Sequence, residues 1–122
     1  MKDLGYNDLV GRRISNFLLS DDRETITLKT DKGNVIGSCY ADCCSTTWIE
    51  DLADEMALVD ATILNVEDID MPNLGNISTS HMHYPEEVAY YGLRITTNKG
   101  ICVIDYRNNS NGYYGGSINF YG

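Results

Sequence analysis

The stretch Val88-Ala89-Tyr90-Tyr91-Gly92-Leu93-Arg94-Ile95-Thr96-Thr97, followed by Asn98-Lys99-Gly100 and Ile101-Cys102-Val103-Ile104-Asp105-Tyr106, decides the fold. Two runs rich in β-branched and aromatic residues flank a short Asn/Gly turn, which predicts a β-hairpin. Upstream, Ile14, Phe17 and Leu19 open a strand, and Thr25 to Thr30 alternates with period two. Asp31-Lys32-Gly33-Asn34 then supplies a turn before Val35 to Tyr40, so a three-stranded meander is expected. Thr62 to Val66 reads as a further strand and Tyr114 to Tyr121 as an edge strand.

Between Asp42 and Asp60 the pattern changes. Trp48, Ile49, Leu52, Met56 and Val59 recur at three- and four-residue spacing, which favours a helix with Ser45 or Thr46 as N-cap. A short strand from Trp48 to Asp51 followed by a short helix is the alternative, because Thr46-Thr47-Trp48-Ile49 has strand propensity. Residues 68–87 are polar, contain Pro72 and Pro85 and show no periodicity. They read as a long loop of the kind that serves as a lid, a binding loop or an oligomer contact. The expected fold class is α+β: a mostly antiparallel sheet, Greek-key-like or meander, with one or two short helices, in a single domain over residues 1–122.

Nine cations against eighteen anions give a net charge of -9. Between Lys32 and Arg94 there is no Lys or Arg, while Asp42, Glu50, Asp51, Asp54, Glu55, Asp60, Glu67, Asp68, Asp70, Glu86 and Glu87 fall in that interval. Binding to a nucleic-acid polymer is disfavoured, because phosphate neutralisation needs clustered cations. An anionic ligand must instead meet Arg12, Arg13, Arg23, Arg94 or Arg107, gathered by folding or by a second subunit. The opening Met1 to Tyr6 has no apolar run, and no later stretch has the length of a membrane span, so a cytoplasmic protein with no membrane partner is expected. Cys39, Cys43, Cys44 and Cys102 are then expected as reduced thiols.

Signals for catalysis are sparse. His81 and His83, both in the long loop, are the only histidines, and there is no nucleophile elbow, phosphate-binding loop or dinucleotide fingerprint. The expectation is a binding protein with no catalytic residue and no cofactor. Cys39, Cys43 and Cys44 with His81-x-His83 are candidate zinc ligands, but the spacing matches no standard module, and small buried cysteines are the plainer reading. The acidic middle is a solvated face, an imitation of DNA charge, or a surface for a basic host factor.

The densest candidate is Asp105-Tyr106-Arg107-Asn108-Asn109-Ser110-Asn111-Gly112-Tyr113-Tyr114-Gly115-Gly116. Strand alternation puts Asp105 and Arg107 on one face, and the turn through Asn109, Ser110 and Asn111 can offer backbone N–H groups beside them. A guanidinium stacks on a base, a carboxylate accepts from an exocyclic amine, and Tyr113 is a further stacking surface. The plain alternative is an ordinary hairpin end with an internal Asp–Arg pair.

Asp42-Cys43-Cys44 followed by Trp48-Ile49-Glu50-Asp51, the Thr97-Asn98-Lys99-Gly100 turn and Ser110-Asn111-Gly112-Tyr113-Tyr114 together resemble a domain widespread in bacteriophage genomes. Within it the chain is similar to the Thoeris anti-defence protein one family, over nearly its whole length. That resemblance implies a phage sponge for cyclic ADP-ribose isomers made by bacterial TIR enzymes, which sequesters the signal uncleaved in the host cytoplasm. Related members also hold cyclic trinucleotides in a separate site of a higher oligomer. It further implies a homodimer or higher homo-oligomer with the pocket between subunits, and adenine held by Asp105 and Arg107. An aromatic from the long loop, His83 or Tyr84, is expected opposite the Arg, and Tyr90 at the polar contact from the preceding strand. A doubly phosphorylated ligand needs positive charge, which Arg107 with Arg94 or a neighbour's Arg12-Arg13 would supply.

Overall fold

The period-two segments fold as strands. The computed structural model describes residues 2–41, 45–70, 87–110 and 116–122. Among them run β1 (Asp3–Leu4), β2 (Arg13–Leu19), β3 (Thr25–Thr30), β4 (Gly33–Ala41), β5 (Thr46–Ala53), β6 (Ala61–Asp70), β7 (Glu87–Thr97), β8 (Gly100–Ser110) and β9 (Gly116–Tyr121). They line up as β1-β9-β4-β3-β2-β6-β7-β8-β5, with neighbouring strands antiparallel. The sheet is therefore mostly hairpins, and the expected β2-β3-β4 meander and β7–β8 hairpin are both present. Helical structure among the described residues is one short helix, α1 (Tyr6–Leu9), and a 3-10 turn at Glu55–Leu58.

In place of the helix expected over Asp42 to Asp60, the described residues form β5 and that 3-10 turn, which agrees with the alternative of a strand around Trp48 to Asp51 followed by a short helix. A β-bulge explains the misleading period: the β5–β8 register shifts between Ile49 and Asp51, so Ile49 opposes Tyr106 and Leu52 opposes Ile104. Residues three apart thereby share the inward face of a strand, which imitates a helical stripe. Met56, placed in that stripe by its spacing, is exposed. Three further expectations shift. Residues 68–70 extend β6 rather than opening the loop, whose remainder at 71–86 lies outside the described residues. Asn108 and Asn109 belong to β8 and not to a turn, since β8 pairs with β5 as far as Thr46↔Asn109. Finally β9 is no edge strand, because β4 pairs along one side and the short β1 along the other.

The β5 end of this strand order folds back against β4 and the β2–β3 turn. Arg23, in the β2–β3 turn with φ of 62°, accepts a hydrogen bond from Ile49 N at 2.8 Å. Its Nη1 donates to the Glu50 carbonyl at 2.9 Å, which ties β5 to the opposite part of the sheet. Apolar side chains fill the interior: Ile14, Ile26, Leu28, Val35, Ile49, Leu58, Ile63, Leu93, Ile95 and Ile104 are fully buried. Packing is tight where β4 passes β9. A Cβ at Gly37 would lie 2.8 Å from the Phe120 ring and 3.0 Å from Ile26. Gly37→Ala is expected to lower stability by about 1–3 kcal/mol through overpacking, read as a lower urea midpoint at unchanged slope.

One end of the interior is polar. Tyr91 and Tyr106 stack with ring centroids 5.2 Å apart, and Tyr6 donates to Asp68 Oδ1 at 2.6 Å while its ring meets Phe120 edge-on. Burial, then the Asp68 charge and the neighbouring Tyr91 and Cys39, push the Tyr106 phenol up to about 12. Burial followed by the bond to Asp68 raises Tyr6 well above its ordinary value. The thiols of Cys39 and Cys102 are pushed up to about 12, in both cases first by burial. In each case the fold favours the neutral form. The unfolded groups ionise near their ordinary values of 9.0 and 10.0 while the folded ones do not, so their contribution is complete at neutral pH and is lost as pH climbs towards 12. Urea midpoints measured at increasing alkaline pH should fall through that window.

Candidate outer-face site on β5, β7 and β8

Register sorts the side chains of the three strands. Tyr91, Tyr106 and Ile49 stand opposite one another on the inward face, so Tyr90, Arg107 and Trp48 form the corresponding row on the outward one. The adjacent outward row holds Gly92, Asp105 and Asp51. Because Gly92 carries no side chain, the β7 position beside Asp105 presents only backbone.

Arg107 is the centre of this face. Its guanidinium carbon lies 4.9 Å from the Tyr90 ring centroid, over the ring. Its Nη2 donates to Asp105 Oδ2 at 3.1 Å and its Nε to Oδ1 at 3.4 Å, while Nη1 is 4.0 Å from Glu50 Oε1. Trp48 Nε1 donates to the same Glu50 oxygen at 3.0 Å. The set sits deep for an outward face: Trp48 is fully buried, Arg107 is 3% exposed and Asn109 0%. Such depth makes each ionic contact strong and makes the desolvation of the charges expensive.

The local charge is negative, since Arg107 faces Asp105 and Glu50, with Asp51 directly across from Asp105 in register. The carboxylate oxygens of such a set can accept from an amine, while the guanidinium and the Tyr90 ring cover one another. A phosphate does not fit the set unless further cations approach.

Of the residues expected at the site, Asp105, Arg107 and Asn109 share one face of β8, and Tyr90 joins them from β7. Arg94 is also outward but is ion-paired with Glu67, its Nε donating to Glu67 Oε1 at 2.7 Å. The backbone of Ser110 ends β8 opposite Glu87. Asn111, Tyr113, His83 and Tyr84 lie outside the described residues, as do Cys43, Cys44 and His81 of the zinc reading. Among the described residues no group of three His, Cys, Asp or Glu side chains could hold a metal ion. Trp48 and Glu50 were missed as site residues because the helical reading of their segment concealed the cross-strand pairing. The β-propensity of Thr46-Thr47-Trp48-Ile49 was the available signal.

Among the described residues no helix is long and apolar enough to cross a membrane. A family model described as a domain of unknown function (DUF7448) matches residues 7–120. No curated protein and no solved structure matches the chain.

Proposed function

The chain belongs to the DUF7448 family, and from that premise we propose that it binds a cyclic ADP-ribose isomer and holds it uncleaved, as a phage-encoded antagonist of Thoeris immune signalling. One observation carries the reading: a guanidinium stacked on Tyr90 and bonded to Asp105 on the outward side of a sheet, nearly sealed from water. A buried ion pair with surplus carboxylates contributes little to stability and often costs it relative to apolar residues. Recognition of an adenine is a use for it, with Asp105 accepting from the exocyclic amine and Arg107 facing the ring. The resemblance of the surrounding motifs to the Thoeris anti-defence protein one family supports the same ligand.

The pyrophosphate must be met by other cations. Arg94 is engaged by Glu67, which favours Arg12 and Arg13 of a second copy of the chain. A homodimer or higher homo-oligomer is accordingly part of the proposal. A sponge must outcompete a host receptor, so submicromolar affinity is expected, about −8 kcal/mol or stronger. The test is to incubate the protein with a cyclic ADP-ribose isomer, remove free nucleotide, and denature by heat. Recovery of the intact cyclic compound supports sequestration, and recovery of a linear product overturns it.

A second reading has an observation of its own. Asp51, Asp54, Glu55 and Asp60 are all exposed around the end of β5 and the 3-10 turn, an acidic surface suited to a basic host factor. A protein retained from host lysate, lost in an Asp51/Asp54/Glu55/Asp60 charge-neutralised variant that still binds nucleotide, would favour a protein-binding inhibitor.

A further inference from the structure

On the inward side of the sheet, the polar end of the interior forms a solvent-open cavity of about 370 Å3 between β9 and the β6–β7–β8 strands. Tyr6, Asp68, Tyr91, Tyr106, Gly116 and Ser117 are among its walls. Volumes of a few hundred cubic ångströms accommodate small organic ligands. Since Tyr106 and Arg107 project to opposite sides of β8, this space is separate from the outward-facing cluster.

We propose that this cavity is a binding site for a small aliphatic ammonium ion bearing N–H donors, held by the carboxylate of Asp68 and the ring faces of Tyr6, Tyr91 and Tyr106. Its described walls include aromatic faces and acceptors but no Lys or Arg. Asp68 is exposed, so a ligand reaches it from solvent, and Tyr6 engages only Oδ1. Aromatic faces attract cations through the ring quadrupole, and a carboxylate beside them adds Coulomb attraction that an anion would meet as repulsion. The phenols of Tyr6 and Tyr106 remain neutral throughout the physiological range, so the rings keep that character.

A buried polar pair lies behind the β9 wall. Asn108, two residues beyond Tyr106 on the same side of β8, gives Nδ2 to Thr47 Oγ1 at 2.9 Å, and its buried Oδ1 has no hydrogen-bond partner among the described residues. Gly116, a wall of the cavity, packs directly over Asn108 and Thr47, where an added Cβ would collide with Thr47 Oγ1. Asn108 and Thr47 thus lie behind Gly116 and not among the cavity walls, and the ligand is read from the walls themselves, where the Asp68 carboxylate and the phenol rings attract a cation and repel an anion.

Titration of the intact protein with putrescine, followed by NMR of the tyrosine rings and by calorimetry, tests the site. Saturable shifts confined to Tyr6, Tyr91 and Tyr106 are expected. Asp68→Asn, which keeps an acceptor for the Tyr6 hydroxyl, should weaken binding by about tenfold or more. Asp21→Asn, the same charge change in the exposed β2–β3 turn, should leave it unchanged. Shifts reproduced by sodium chloride at matched ionic strength, or equal affinities in the two variants, would overturn the assignment. Both variants are checked for the native circular dichroism spectrum. Loss of this site leaves the Arg107 reading intact, since the two lie on opposite faces.

Discussion

Arg107→Ala is expected to lower the free energy of unfolding by about 3–5 kcal/mol, the range for removing one partner of a buried ion pair. The guanidinium is 3% exposed and bonded to Asp105, with Glu50 at 4.0 Å. Its loss leaves the carboxylates of Asp105 and Glu50 without the guanidinium that faces both, and it removes the stack on Tyr90. Since a domain of this size has about 5–15 kcal/mol in total, the variant should be largely unfolded at moderate urea. Denaturation followed by circular dichroism reads the effect directly. Arg107→Lys retains the charge and should fold, at a smaller cost, because an ammonium cannot reproduce the planar fork.

Trp48→Ala should be comparably severe, about 3–5 kcal/mol as for large aromatic truncations in cores. Trp48 is fully buried although it faces outward in register with Arg107. Truncation opens a void beside the guanidinium and also releases Glu50, whose Oε1 accepts the indole N–H. Trp48→Phe, which keeps most of the packing and loses that bond, separates the two contributions: a cost below half that of alanine would assign most of the effect to volume. If Trp48→Ala unfolds at the wild-type urea midpoint, the outward cluster is not a packed unit.

How much of this was visible in the residue order depends on the segment. The Val88 to Tyr106 hairpin was legible because β-branched residues and a two-residue Asn98-Lys99 turn agree on one answer. The β2-β3-β4 meander was legible for the same reason. The Asp105–Arg107 adjacency followed from strand alternation, and their side chains do meet. What alternation could not convey was depth: Arg107 is buried because of what lies across the sheet, a tertiary property. The Trp48 segment misled because the bulge at Glu50 changed the period from two to three. Helix α1 was invisible since four residues carry too little periodicity, and it is held instead by local bonds such as Gly5 N to Asp8 Oδ2 at 2.8 Å.

The central claim is that the outward face of β8 grips the adenine of a cyclic ADP-ribose isomer through Arg107. Calorimetric titration of that nucleotide into the intact chain and into folded Arg107→Lys tests it most directly. The account predicts submicromolar binding to the former and a loss of about tenfold or more in the latter, the worth of one charge-assisted contact. Absence of heat with the intact chain, or equal affinity for both proteins, would contradict it.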